Sequence, residues 1–268
     1  TVTSIVAANR IKNPNLIYVG QRLRIWDKLN QIPVRAIAKK GLAMATYHPE
    51  DLLSLKVSWY YTWGWNTQVP NGIPAVPMCR NFEMPQESNV PYLLVGNEPN
   101  AIEPYGRPTT PKEAALLVFT IERSNPLTRM VVGNIAADDW SSAGGWGSGA
   151  NWLKEFRIEY RKLTGRVFVH ALGVHVYAQD DPTWALNRLK EYRKICAGEM
   201  WLTEFGVLSG NPNTIKAIMD YAMANFDRVA AYTNRQPHTG EGWEIGTGVE
   251  LVNGDGTLTP SGTIFAGM

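Results

Sequence analysis

Apolar residues along this chain fall in short continuous runs rather than in strict alternation, and each run ends on a polar, glycine or proline residue. Runs of that form suit strands covered on both faces, as in a parallel sheet. They predict strands near Gly41 to Thr46, Lys56 to Trp63, Ala75 to Cys79, Tyr92 to Asn97, Met130 to Ile135, Ala171 to Tyr177, Met200 to Glu204 and Arg228 to Thr233. Between the later runs the spacing changes to that of helices. Pro111 opens one, with Thr110 as cap and Glu113 in the first turn, running to about Ser124. Others are predicted over Ala150 to Leu163, where Trp152, Leu153, Phe156 and Tyr160 recur at helical spacing, and over Pro182 to Ile195 and Pro212 to Asn225. The segments between the second and fourth strands are too short for full helices.

Strands alternating with helices are the signature of βαβ units around a parallel sheet. Eight of them in a chain of 268 residues fit a single (β/α)8 barrel, which needs about 250. The expected fold class is therefore α/β, a compact (β/α)8 TIM barrel over residues 39 to 268 with reduced helices in its first half. Residues 1 to 26 differ in character from the barrel segment, and residues 27 to 38, broken at Pro33, read as a linker.

Two runs end in glutamate. Tyr92 to Glu98 is an aliphatic stretch closed by Pro99, which can neither extend a helix nor donate to a ladder. Met200 to Glu204 has the same form. Glu98 and Glu204 are 106 positions apart, so only the barrel can bring them together, at the carboxyl rim where such folds bind ligands. Either glutamate alone would read as a surface residue or half of a salt bridge. A pair across a sugar can break a glycosidic bond: about 5–5.5 Å apart with retention of configuration, about 6.5–9.5 Å apart with inversion.

Composition narrows the alternatives. A formal charge of +2 without a dense basic block excludes nucleic acid as a partner, and no apolar run is long enough to span a bilayer. Cys79 and Cys196 fall at opposite ends of the expected barrel and make no disulfide framework. Four histidines show neither HExxH nor cysteine-pair spacing, so no metal and no cofactor is expected. No G-x-S-x-G elbow occurs, and the glycine-rich run 144 to 149 lacks the G-K-[ST] of a phosphate loop. Ten tryptophans and eleven tyrosines provide flat faces of the kind that suit sugar rings.

GNEPN on the fourth strand and WLTEFG on the seventh resemble the acid/base and nucleophile motifs of clan A glycoside hydrolases. With VSWYYTWGW after an early KGLA strand, and GVHVYA on the sixth, residues 40 to 268 are most similar to glycoside hydrolase family 128, compact barrel enzymes acting on β-1,3-glucans. The resemblance implies Glu98 as acid/base, Glu204 as nucleophile and Asn97 as partner of a sugar hydroxyl. Residues 1 to 26 (IVAANRIKNPNLIYVGQRLRI at their centre) resemble the second half of a LysM module, which binds N-acetylglucosamine-containing glycans. The module's first strand and helix are missing, so the chain is expected to be a piece of a longer protein. Half a module should pack on the barrel rather than bind glycan.

Other substrate contacts are expected from rim residues. Tyr61, Trp63 and Trp65 belong to the second strand and its end, with the last two as sugar-stacking faces, and Asn134 and Trp140 to the fifth strand and its loop. His175 could bridge strands six and seven, and Tyr177 could hydrogen-bond Glu204. Clan members often end strand eight with a tryptophan beneath the reacting sugar; here Tyr232 stands there, and Tyr232 or Trp243 would have to substitute. The expectation is a monomeric, extracellular or cell-wall-associated retaining hydrolase of a β-linked polysaccharide, of endo-β-1,3-glucanase type. A complete upstream LysM region would add a cell-wall glycan as partner. The alternatives are a non-catalytic carbohydrate-binding protein on a degenerate barrel, or a hydrolase of peptidoglycan or chitin.

Overall fold

The computed structural model describes residues 37–101, 109–137, 148–240 and 245–268, with Ile11 and Asn13. The chain divides into two compact units, Thr1–Ala36 and Ile37–Met268. Apart from Ile11 and Asn13 the LysM-like segment lies outside the described residues, as do Trp140 and Trp243. Ile37, expected in the linker, is buried within the inner core of the second unit.

Eight parallel strands carry that unit: β1 (Lys40–Ala43), β2 (Trp59–Tyr61), β3 (Met78–Cys79), β4 (Tyr92–Val95), β5 (Arg129–Ile135), β6 (Ala171–Ala178), β7 (Met200–Val207) and β8 (Arg228–Tyr232). They form one sheet in the order β2-β1-β8-β7-β6-β5-β4-β3. A single parallel bridge, Tyr60 to Ala75, draws its two ends together, and the sheet becomes a nearly closed barrel. The helices are α1 (Pro49–Ser54), α2 (Pro111–Ser124), α3 (Gly149–Thr164), α4 (Thr183–Ile195), α5 (Pro212–Asn225) and α6 (Pro260–Gly267). Between β2 and β4 there is only one 3-10 turn, Pro70–Gly72, as the short spacing predicted. The α2 start is a full capping box: the Thr110 hydroxyl accepts from Glu113 N, and the Glu113 carboxylate accepts from Thr110 N. No helix among the described residues is long and apolar enough to cross a membrane.

Alternation along each strand splits the core into two layers. Ala43, Trp59, Tyr61, Met78, Leu94, Val131, Ala171, Trp201, Ala230 and Tyr232 fill the barrel interior. Their neighbours Leu42, Tyr60, Cys79, Leu93, Val132, Leu172, Leu202 and Ala231 pack against helix residues such as Trp152 and Ile218. Cys79 belongs to this outer layer, and burial first, then the nearby Glu83, pushes its thiol up to about 12. Cys79 and Cys196 are both free thiols.

Two irregularities break the alternation where it matters most. The β6–β7 register runs from Val174 opposite Leu202 to His175 opposite Glu204, leaving Thr203 as an extra residue. Leu202 and Phe205 both face the helices, so the bulge turns Thr203 and Glu204 together into the interior. On β5 the register passes from Gly133 to Ile135 in the same way, with Asn134 as the extra residue, at φ +48°. The Asn134 side chain then lies against β6. A Cβ at Gly173 would stand 2.1 Å from Asn134 Oδ1, and only glycine fits there.

Candidate active site

Glu98, His175 and Glu204 meet at the carboxyl end of the barrel, from β4, β6 and β7. One carboxylate oxygen of each glutamate and one ring nitrogen of His175 lie within 4.8 Å of one another. Glu98 is placed by its backbone, which takes φ +46° while its N–H donates to Asn134 O at 2.9 Å. For a non-glycine residue that conformation is costly and survives only where the surroundings impose it. Asn134 imposes it from both ends: its carbonyl holds Glu98 N, and its Nδ2 donates to Gly96 O at 2.7 Å. Thr203 Oγ1 donates to Asn134 Oδ1 at 2.9 Å. The two bulges and the end of β4 thus form one hydrogen-bonded frame.

The two carboxylates have different surroundings. Glu204 is buried and surrounded by donors. Tyr61 OH reaches its Oε1 at 2.7 Å, Trp63 Nε1 the same oxygen at 2.9 Å, and Tyr177 OH its Oε2 at 2.7 Å. Burial, with Glu204 beside them, holds both tyrosine hydroxyls well above the usual phenol range, so they remain donors. Glu98 keeps 12% of its side chain exposed, and His175 Nδ1 lies 2.8 Å from its Oε1. Burial raises the Glu98 carboxyl above its ordinary range; the Glu204 charge adds to that, while His175, and more weakly Arg80, oppose it.

His175 is fully buried, and its Nε2 stands 3.5 Å from Glu204 Oε1. It therefore touches both carboxylates from their buried side while the oxygens still approach within 4.8 Å. Burial alone would lower its pKa, but Glu204 and then Glu98 outweigh it, and the imidazole is held above its ordinary value.

The other expected site residues are divided between the rim and the core. Asn97 is buried on the chain beside Glu98, its backbone N donating to Arg80 O. Asn134 is fully buried and both ends of its amide are engaged, so it cannot also face a sugar. Trp63 is half-buried, edge-on to Tyr61 and Tyr232 at centroid distances of 5.1 and 5.6 Å. Trp65 packs against the outer, helix-facing core: β2 ends at Tyr61 and Trp63 takes φ +55°, so the inward alternation of Tyr61 and Trp63 does not carry on to it. Tyr232 is 5% exposed, in edge contact with Trp63 and Tyr177. Thr203 and Arg80 join the site without having been expected from the sequence. Arg80 directly succeeds β3 and was readable as a rim residue; Thr203 becomes visible only with the bulge.

Residues 41–265 match the family model described as "Glycosyl hydrolase catalytic core", and residues 1–26 match that of the LysM domain. Among curated proteins none matches the chain. Many solved structures share its fold, and three of them illustrate the range. A GH128 (subgroup II) endo-β-1,3-glucanase from Sorangium cellulosum is 20% identical with a TM-score of 0.67, over 85% of this chain and 98% of that one. A GH128 (subgroup I) endo-β-1,3-glucanase from Amycolatopsis mediterranei, in complex with laminaritriose, is 17% identical with a TM-score of 0.64, over 86% and 99%. A GH128 (subgroup VII) oligosaccharide-binding protein from Trichoderma gamsii is 18% identical with a TM-score of 0.59, over 86% and 93%. At these identities the likeness is one of fold.

Proposed function

The chain belongs to the glycosyl hydrolase catalytic core family, and from that premise we propose a retaining glycoside hydrolase of endo-β-1,3-glucanase type, with Glu98 as acid/base and Glu204 as nucleophile. One observation carries the reading: one oxygen of each carboxylate lies within 4.8 Å of the other, the close approach expected of a retaining pair, whose carboxyl groups stand about 5–5.5 Å apart.

The environments divide the labour. A carboxyl group raised by burial keeps its proton to higher pH than an ordinary one and so can donate to a leaving oxygen. Glu98 is that group. Glu204 meets three donors, the surroundings an acceptor-only carboxylate needs, and they aim it at one point. In the first step Glu98 protonates the glycosidic oxygen as Glu204 attacks the anomeric carbon; the C–O bond to the leaving sugar breaks and a glycosyl–Glu204 ester forms. In the second, ionised Glu98 takes a proton from water, whose oxygen displaces Glu204. His175, whose imidazole the two carboxylates favour in its charged form, fixes the Glu98 oxygen it touches. Asn134 and Thr203 act through the backbone of Glu98 rather than against substrate. Asn97 and Trp63 are the nearest candidates for sugar contact.

The substrate class rests on the fold relatives, two of which are named as endo-β-1,3-glucanases. Reducing-sugar release from β-1,3-glucan, mixed-linkage β-glucan, chitin and peptidoglycan tests it. Turnover of β-1,3-glucan well above the other three is expected. Turnover confined to chitin or peptidoglycan would move the activity to cell-wall amino-sugar polymers, and binding without turnover on every polymer would make the protein a carbohydrate-binding one, like the Trichoderma relative.

A further inference from the structure

The backbone that carries Glu98 is gripped from two strands. Asn134 on β5 accepts from Glu98 N and donates to Gly96 O. The end of β3 takes the two amides before Glu98: Gly96 N donates to Cys79 O and Asn97 N to Arg80 O, both at 2.9 Å. Phe82 rests on the same turn. A Cβ at Gly96, where φ is +80°, would stand 2.5 Å from Phe82 Cζ, so glycine alone tolerates both the backbone and the contact. Phe82 is buried, itself takes φ +60°, and its N–H donates to Cys79 O at 3.2 Å.

Glu83 holds this second grip together. It is an exposed residue, yet both its oxygens fold back on the chain: Oε1 accepts from Arg80 N at 3.0 Å and Oε2 from Asn81 N at 2.6 Å. Hydrogen bonds to an ionised acceptor are roughly twice as strong as neutral ones. These two tie position 83 to positions 80 and 81 across Phe82. They stabilise a left-handed conformation that a non-glycine residue keeps only where its surroundings impose it.

We propose that Glu83 is a positioning residue for Glu98: through the turn 80–83 it fixes the Arg80 carbonyl and the Phe82 ring, and through them the backbone that aims the acid. The inference rests on the glycoside hydrolase reading. Gly96 N, Gly96 O, Asn97 N and Glu98 N are all engaged, two by the Glu83 turn and two by Asn134. A backbone so held gives the Glu98 carboxyl one direction. Misplacing a catalytic group by about 1 Å can cost about 100-fold. Loosening one grip while Asn134 keeps the other should cost less, about tenfold.

The test compares β-1,3-glucan, whose leaving sugar needs the Glu98 proton, with an aryl β-glycoside of a β-1,3-linked glucotriose, whose phenol leaves without one. Glu83→Ala should cut the ratio of glucan kcat to aryl burst rate about tenfold, with little change in KM for glucan. A thermal midpoint confirms that the variant folds. Glu83→Gln keeps one acceptor oxygen and should cut the ratio about threefold, and the comparison is read on it should Glu83→Ala not fold. A merely structural role would lower both substrates alike. An unmoved ratio in the folded variant therefore overturns the positioning role while leaving the hydrolase reading intact. A wild type that cleaves neither substrate overturns the hydrolase reading, and the positioning role with it.

Discussion

Glu204→Gln should lose about 10⁴–10⁶-fold in kcat on β-1,3-glucan, the scale on which an enzyme loses its nucleophile. The substitution is nearly isosteric and asks little of the fold. Trp63 Nε1 can only donate, so the new amide must turn its oxygen to the Oε1 position shared by Trp63 and Tyr61. Its –NH2 then meets Tyr177, whose hydroxyl can rotate to accept. The variant is expected to keep a thermal midpoint close to wild type and to bind glucan while failing to cleave it. Steady-state assay and calorimetric titration with the same polymer separate the two. Turnover within tenfold of wild type would remove Glu204 from the mechanism.

The second large effect is at Glu98. Glu98→Gln should lose about 10²–10⁴-fold on glucan, whose leaving sugar needs a proton. With an aryl β-glycoside whose phenol leaves without protonation, the first step should proceed and the second should stall, giving a burst of phenol and then slow turnover. The pH dependence has a definite sign. Glu98 is raised, so the acid is present below its folded pKa and is lost as pH rises through it; wild-type kcat/KM must carry an alkaline limb that Glu98→Gln lacks. Stability is linked in the same direction. Between the ordinary carboxyl range and the raised value, the folded state binds a proton the unfolded state has released, so stability falls with rising pH across that window, and the variant's slope there is smaller. An alkaline limb unchanged in Glu98→Gln would assign it to another group, with the raised His175 the first to examine.

Much of this architecture was legible in the chain because buried parallel strands and capped helices leave local marks. Proline, capping threonine and aliphatic spacing place α2 and α5 at the bounds their residues predict, and the short spacing between β2 and β4 announces the missing helices. The two glutamates were readable as the polar ends of apolar runs. Their orientation was not. Strict alternation would turn Glu204 to the helix layer with Leu202, and only the extra residue at Thr203 reverses it. A bulge depends on what the neighbouring strand presents, here Gly173 and Asn134, and neither is local to Glu204. For the same reason Asn134, expected at the sugar, is instead the frame behind Glu98, and Trp63 serves Glu204 through its ring N–H. Trp65, two residues on, is turned outward because the strand has ended and Trp63 takes φ +55°, which strict alternation does not foresee.

The central claim is a double displacement on a pair of carboxylates, and the anomeric configuration of the first-formed product tests it most directly. Proton NMR during wild-type hydrolysis of a β-1,3-linked gluco-oligosaccharide should show the new reducing end appearing first as the β-anomer, with the α-anomer growing only at the rate of mutarotation. An α-anomer that appears first would mean direct attack by water, and would contradict the assignment of Glu204 as nucleophile.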